Sequence, residues 1–448
     1  MNHILAAGLL ALLSLASCTD EFIEGNDLQG VDRDKRVEVR LPFGVGRGIT
    51  TTITTRAAGG EIDYDSQLSG VMAFVYEAKS DNPEENELLA YHLFSNPSNK
   101  PLEGATGGWI ADNDDPTCGE IKFYVPVGDV YIYLLGNAQS SFLNFFPGVS
   151  GGDALGTQAE FFEKATPKWN GNIHSVDGYL PLTGMVNNNT GLCHVNEQGQ
   201  ISYTDEEGKT HILLPDGKHD EDNSFVLKRL MSKITMNIRE GKGVKFTARD
   251  YTVRHIPHYV SPTAQAWTEE ERDRILVEDA KPVNFGLLDS LTFTIYLPEN
   301  IRKVRSGVEI TEYRQRDKVV KTADNKNTEE TAPDDFHADN ADNHKGHYKF
   351  EFAPKASTYI ELTGWFENAD KTVAADVRYY IHLGNFGKDL NHFSVERDHH
   401  YTYNVTINGV DDIVVEVEDE NEKTPGAEGV VFKHEAFAHI DAHFDQVE

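Results

Sequence analysis

The sequence is short of three things. Cysteine occurs three times in 448 residues, too few for a disulfide scaffold, so burial of apolar surface must hold the fold. Positive charge is scarce: 41 Lys and Arg face 73 Asp and Glu, a formal charge of −32. A chain of that sign is repelled by phosphate backbones, which argues against nucleic acid as a partner. Catalytic signatures are the third lack. No Gly-x-Ser-x-Gly, His-Glu-x-x-His, P-loop or Cys-x-x-Cys occurs, and the many carboxylates single out no acid–base pair, so neither an enzyme nor a cofactor is expected. What is present is a 39% hydrophobic content with 18 Tyr and 23 Phe, which argues against wholesale disorder. The length suits two or three domains, each large enough for its own core.

The N-terminus reads as a targeting segment. Ile4–Ala16 is apolar except for Gly8 and Ser14, too short for the roughly 20 residues of a membrane span and suited to a signal-peptide core. It ends in Leu15-Ala16-Ser17-Cys18, which resembles a bacterial lipobox, with cleavage before Cys18 and lipid on its thiol. The n-region Met1-Asn2-His3 departs from the usual pattern in lacking Lys and Arg. The acidic run Thr19–Glu24 is similar to the export signal of Bacteroides-type surface lipoproteins, and it also serves as a solvated tether. With Cys18 lipidated, Cys118 and Cys193 remain, and spacing alone leaves open whether they pair.

Beyond residue 36 the dominant period is two. Val37, Val39, Leu41, Phe43 and Val45 alternate with Glu38, Arg40, Pro42 and Gly44, a half-buried strand whose proline places it at an edge. Ile49–Thr55 is a second β-branched stretch, followed by an adaptable loop at Gly59-Gly60. Val71–Tyr76 reads as a strand buried on both faces, and Ile121–Leu135 as two strands around Gly128-Asp129. Helices are predicted only at 153–164 and, from a Thr268-Glu-Glu-Glu cap, at 268–280. The polar stretch 204–224 marks a boundary. The strand pattern then restarts at Phe225–Ile238, with Ile234, Met236 and Ile238 on one face, and continues through Leu291–Leu297, Tyr359–Phe366, Val377–Leu383, Tyr401–Ile407 and Ile413–Val417, around a long mobile loop at 315–346. Many short strands with few helices give a mainly β fold of two sandwiches.

Several segments resemble the fimbrillin (type V pilin) superfamily of Bacteroides-type bacteria and its fimbrillin-like members. They are Leu68–Tyr76, Tyr131–Ala138 and Leu180–Gly184 in the first half, and Leu227–Thr235, Tyr251–Pro257, Tyr380–Gly384, Arg397–Ile413 and Pro425–Gly429 in the second. The resemblance implies two tandem transthyretin-like, Greek-key β-sandwiches and an assembly mechanism. A precursor lipoprotein reaches the cell surface, an Arg-specific protease cuts after the first strand, and a neighbour's strand fills the groove left behind. In this sequence the removable strand would be Val37, Val39, Leu41, Phe43 and Val45, with Arg56 the better scissile residue and Arg47 the runner-up. Both are ordinary loop arginines if the subunit is an anchor that keeps its strand.

At the other end Ala436, Ala438, Ile440, Ala442 and Phe444 alternate with polar or aromatic residues. Ala438, Ile440, Ala442 and Phe444 are therefore donor-strand candidates, and equally candidates for the last strand of the second domain. His439, Asp441 and His443 share one strand face, with His434 or His399-His400 as further ligands, but a solvated face is the simpler reading and no metal is expected. Trp109, Trp169, Trp267 and Trp365 are able to stack on sugars; for Trp365, inside a strand, a core position is expected instead.

The expected organisation is a signal peptide at 1–17, a lipidated tether with the removable strand at 18–56, sandwiches at 57–222 and 223–417, and a C-terminal extension at 418–448. The function implied is a fimbrial subunit or fimbria-associated lipoprotein of the outer membrane, serving cell adhesion. Its partners would be other fimbrial subunits, the membrane through the lipid (palmitate among its chains), the Arg-specific protease and a host or bacterial surface ligand. A surface glycan-binding lipoprotein of a polysaccharide-uptake system is the alternative.

Overall fold

The computed structural model describes residues 32–46, 67–98, 102, 105, 107–111, 117–138, 142–145, 155–164, 167–174, 179–186, 190–205, 207–214, 224–262, 276–287, 291–304, 307–321, 336–337, 347–419, 434–436 and 438–439. The chain divides into two compact units, and the main change from the first to the second falls between Leu230 and Met231. The stretch 204–224 is not a plain linker, since it contains a strand, Thr210–Ile212, that belongs to the first unit.

The first unit carries β1 (Asp32–Val45), β2 (Gly70–Glu77), β3 (Leu88–Ser95), β4 (Trp109–Ala111), β5 (Cys118–Gly136), β6 (Leu143–Asn144), α1 (Gln158–Lys164), β7 (Lys168–Trp169), β8 (Leu182–Gly184), β9 (Leu192–Val195), β10 (Ile201–Thr204), β11 (Thr210–Ile212) and β12 (Phe225–Arg229). All but β6 and β7 join one ten-stranded hydrogen-bonded sheet among the described residues. The long β5 makes this continuous. Its first half pairs with β1 and β4, its second half with β2, β8 and β9. The sequence suggested two strands here. The chain instead continues as one strand through Pro126 and Gly128, whose φ of 134° suits only glycine, while the register against β1 shifts between Pro126 and Val127. β2 is buried along its whole length, as its uninterrupted apolar run requires. α1 opens with a reciprocal cap between Thr157 and Glu160, whose backbone N–H groups each donate to the other's side chain at 3.1–3.2 Å.

The second unit carries β13 (Met231–Glu240), β14 (Val244–Arg254), β15 (Ile256–Pro257), β16 (Val277–Glu278), β17 (Val283–Asn284), β18 (Thr292–Pro298), β19 (Val319–Lys321), β20 (Phe336–His337), β21 (His347–Phe350), β22 (Tyr359–Asn368), β23 (Ala374–His382), β24 (His400–Ile407), β25 (Ile413–Asp419), β26 (His434–Ala436) and β27 (Ala438–His439). Two five-stranded sheets, ordered β18-β13-β24-β25-β26 and β17-β14-β22-β23-β27, form the sandwich. Ile234, Met236 and Ile238 are buried along β13, and Tyr251 on β14 stacks on Phe293 on β18 at 3.9 Å between ring centroids, joining the two layers.

Three sequence expectations change. Residues 276–280, the described end of the predicted helix 268–280, hold β16, which pairs with β15; Leu276 accepts a backbone hydrogen bond from His258 at 2.8 Å, closing a hairpin. The described part of 315–346 is not a mobile loop: Arg316 and Asp317 are buried, Arg316 lies over the Phe393 ring at 3.8 Å, and Asp317 accepts from the ring and backbone of His382 at 2.7 and 2.9 Å. Burial pulls the His382 imidazole below its ordinary pKa against the opposing pull of Asp317. Trp365 is not a core residue, since 41% of it is exposed.

Candidate strand-exchange groove

β1 runs antiparallel to β5 from Arg36 to Gly44 and parallel to β12 from Phe43 to Val45. Its inward row faces an apolar row on β5: Val37 lies opposite Val125, Val39 opposite Phe123 and Leu41 opposite Ile121. Val39, Leu41 and Phe43 are fully buried in the core cluster, and Val37 and Val45 pack against its rim. Each fully buried side chain of this kind is worth roughly 1.5–3 kcal/mol. The chain's first described strand therefore supplies the core of the first unit from one side. The outward row is polar, and it places Arg40 opposite Lys122, a like-charged pair that weakens the outer face slightly.

Pro42 fits because the strand is only half an edge. The Val45 N–H donates to Thr117 on the β5 side at 3.0 Å, and the Gly46 N–H to Leu227 on the β12 side at 2.8 Å. By alternation the Pro42 nitrogen faces the β12 side, one residue before pairing with β12 begins at Phe43. No ladder bond is lost there. The extra partner β12 was not legible in the sequence.

The ends of β1 are held differently. Near its start Lys35 forms an exposed ion pair with Glu197 at 2.6 Å, a weak tie in water. Beside it Gly199 adopts φ +74°, and a Cβ there would lie 2.1 Å from the Glu38 carbonyl oxygen, so the β9–β10 turn must be glycine to sit against the strand. At the far end the fully buried Arg229 donates from Nη1 to the Gly46 carbonyl at 2.7 Å, a charge-assisted bond. Sequence reading missed Arg229; an arginine between Lys228 and Leu230 carries no signal of burial. Phe43 meets Trp109 edge-on at 4.9 Å over Gly119, where a Cβ would stand 3.1 Å from the Phe43 ring.

Arg47 and Arg56 lie outside the described residues, as does Cys18. Cys118 and Cys193 are both buried. Cys118 lies opposite Gly44, whereas Cys193 lies opposite Val130, twelve residues further along β5, so the register separates them along the strand. Burial pushes the Cys193 thiol well up.

The C-terminal segment is split between the sheets of the second unit. β26 adds to β25, with Ala436 opposite Ile413, and β27 adds to β23, with Ala438 opposite Tyr379 and His439 opposite Arg378. Ile440, Asp441, Ala442, His443 and Phe444 lie outside the described residues. No group of three metal-ligating side chains occurs among the described residues. His399 is instead engaged with Asp419 at 2.9 Å and Glu396 at 3.8 Å, and His400 with Thr235 at 3.0 Å. Burial pulls the His399 imidazole down, but the hydrogen bond to Asp419 and the charges of Asp419, Glu396 and Asp398 outweigh it, and its pKa rises.

Residues 295–405 match the family model described as a domain of unknown function, DUF4906. No curated protein matches the sequence. Among solved structures the chain is similar to the tip fimbrial protein Mfa3 of Porphyromonas gingivalis, in a form with a C-terminal truncation, at 14% identity over 86% of this chain and 99% of that one, with a TM-score of 0.41. It is similar to a candidate cell adhesion protein of Parabacteroides distasonis at 10% identity over 89% and 96%, TM-score 0.41. A third is the fimbrial anchor protein Mfa2 of Porphyromonas gingivalis, at 8% identity over 89% and 99%, TM-score 0.30. These three structures are described as fimbrial or candidate cell adhesion proteins.

Proposed function

We propose that this chain is a fimbrial subunit or fimbria-associated surface lipoprotein, anchored through Cys18, exported to the outer membrane and serving adhesion by assembling with other fimbrial subunits. The observation that carries this reading is the position of β1. The first described strand supplies Val39, Leu41 and Phe43 to the core, and the two candidate cleavage sites, Arg47 and Arg56, follow its end at Val45 by two and eleven residues. Removing it opens a slot lined by Ile121, Phe123 and Val125 on β5, and exposed apolar surface with an unpaired strand edge is what β-strand addition requires. The incoming strand restores the main-chain bonds, and its alternate side chains refill the pockets. The C-terminal row Ala438, Ile440, Ala442 and Phe444 stands equally as a donor for the next subunit and as the second unit's own last strand, since β27, which holds Ala438, pairs with β23.

The test is a double Arg47→Ala, Arg56→Ala variant expressed in the native host. Surface material from the unmodified chain should run as an SDS-resistant ladder that collapses to monomer on heating. The variant should remain a folded, full-length monomer on the surface. An unchanged ladder from the variant would remove the Arg-specific step.

A further inference from the structure

Position 365 breaks the pattern of its own strand. On β22 Gly364 and Phe366 are buried, so the residue between them points outward, where a strand facing water carries a small or charged side chain. The sequence places a tryptophan there, 41% exposed. Its lateral neighbours are Thr247 on β14 and Asp376 on β23. Trp365 takes part in no hydrogen bond or ring contact among the described residues, whereas Trp109 packs on Phe43 and Trp169 is buried. Core packing does not ask for this indole.

A charged pair runs beside it. The β14–β22 ladder has a bulge between Ala248 and Asp250, which frees Arg249 from the register. Bulges re-aim side chains, and Arg249 reaches across β22 to pair with Asp376, both groups remaining more than half exposed. The pair therefore crosses the outer face next to Trp365. The neighbouring cation Arg378 pairs at 3.5 Å with Glu361, a carboxylate shared with Arg254, which Asp279 also meets at 2.8 Å. The surface beside the indole thus holds hydrogen-bonding groups but little net charge.

We infer that Trp365, with the Arg249–Asp376 pair, forms a binding subsite for a neutral saccharide. The negative face of the indole π-system accepts the weakly positive C–H bonds on one face of a pyranose ring. The guanidinium then donates to, and the carboxylate accepts from, neighbouring hydroxyls. Balanced local charge on a body of formal charge −32 disfavours an anionic glycan. A protein partner would need roughly 1,000 Å² with several buried anchors, and the exposed large apolar groups on this stretch are Trp365 and Val373 alone among the described residues. The subsite does not depend on strand exchange.

The test uses the full chain and four probes: cellohexaose, mannohexaose, galactotetraose and chitohexaose. At least one should bind saturably in calorimetry and change tryptophan fluorescence. Trp365→Ala should weaken that binding tenfold or more and abolish the fluorescence change, with the melting temperature unmoved. Trp365→Tyr should recover part of the affinity, and Asp376→Ala should lose affinity with the stacking platform intact. Failure of all four probes to bind overturns the proposal, as does equal binding by Trp365→Ala. Concentration-dependent self-association that Trp365→Ala removes would also overturn it, by giving this face to a second copy.

Discussion

Phe43 is the largest side chain that β1 places in the core, fully buried and set edge-on against Trp109. Phe43→Ala should lower the stability of the first unit by about 3–5 kcal/mol, the usual cost of a large buried aromatic truncated to a cavity; urea denaturation of the full-length precursor measures it. A smaller loss would mean that β1 rests on the core without completing it. His399 makes a different kind of claim. Its folded pKa is raised above 6.5, so the stability it contributes is fully present below pH 6.5 and is lost as pH rises through the raised value. His399→Gln should therefore cost more at pH 6 than at pH 8, and parallel melting curves at the two pH values check the sign. An equal loss at both would show that Asp419 binds the ring without regard to its charge.

Among the strands, the alternating rows were legible in the sequence and their partners were not. Val37 to Val45 and Ile234 to Ile238 announce their buried faces through period two alone. Nothing in those rows says that β1 meets β12 in parallel as well as β5, because Phe225–Arg229 contributes a pairing of only three residues. The Arg316–Asp317–His382 contact stayed hidden for a related reason: a polar, charged stretch reads as a loop unless its distant partner is known. Trp365 was misread because an aromatic in a strand has two faces available, and only the register decides between them. Cys18, Arg47 and Arg56 belong to the targeting and processing reading, which rests on sequence. The C-terminal segment carries an element-level prediction. Its described pieces pair with β25 and β23 of the second unit, so deleting 429–448 removes an edge strand from each sheet. If the pairing is structural, thermal denaturation of the monomeric deletion variant should show a depressed midpoint. An unmoved midpoint together with lost polymer would assign the segment wholly to donation.

For the molecule as a whole, the proposed function divides the work between the acidic body and a lipid on Cys18. A chain of formal charge −32 has no electrostatic attraction to an anionic membrane, so the proposed anchoring would rest on acyl chains, of which stable attachment needs more than one. A fimbria built this way trades a covalent tether for a row of strand insertions, each worth several buried side chains and a ladder of hydrogen bonds. The account stands on whether β1 leaves the subunit. Intact-mass analysis of subunits recovered from SDS-resistant surface polymer, denatured by heat, decides this directly. The account predicts chains that begin at Ala57 or Gly48 and lack Val37–Val45. Polymer subunits that begin at a lipidated Cys18 and retain the whole of β1 would contradict it.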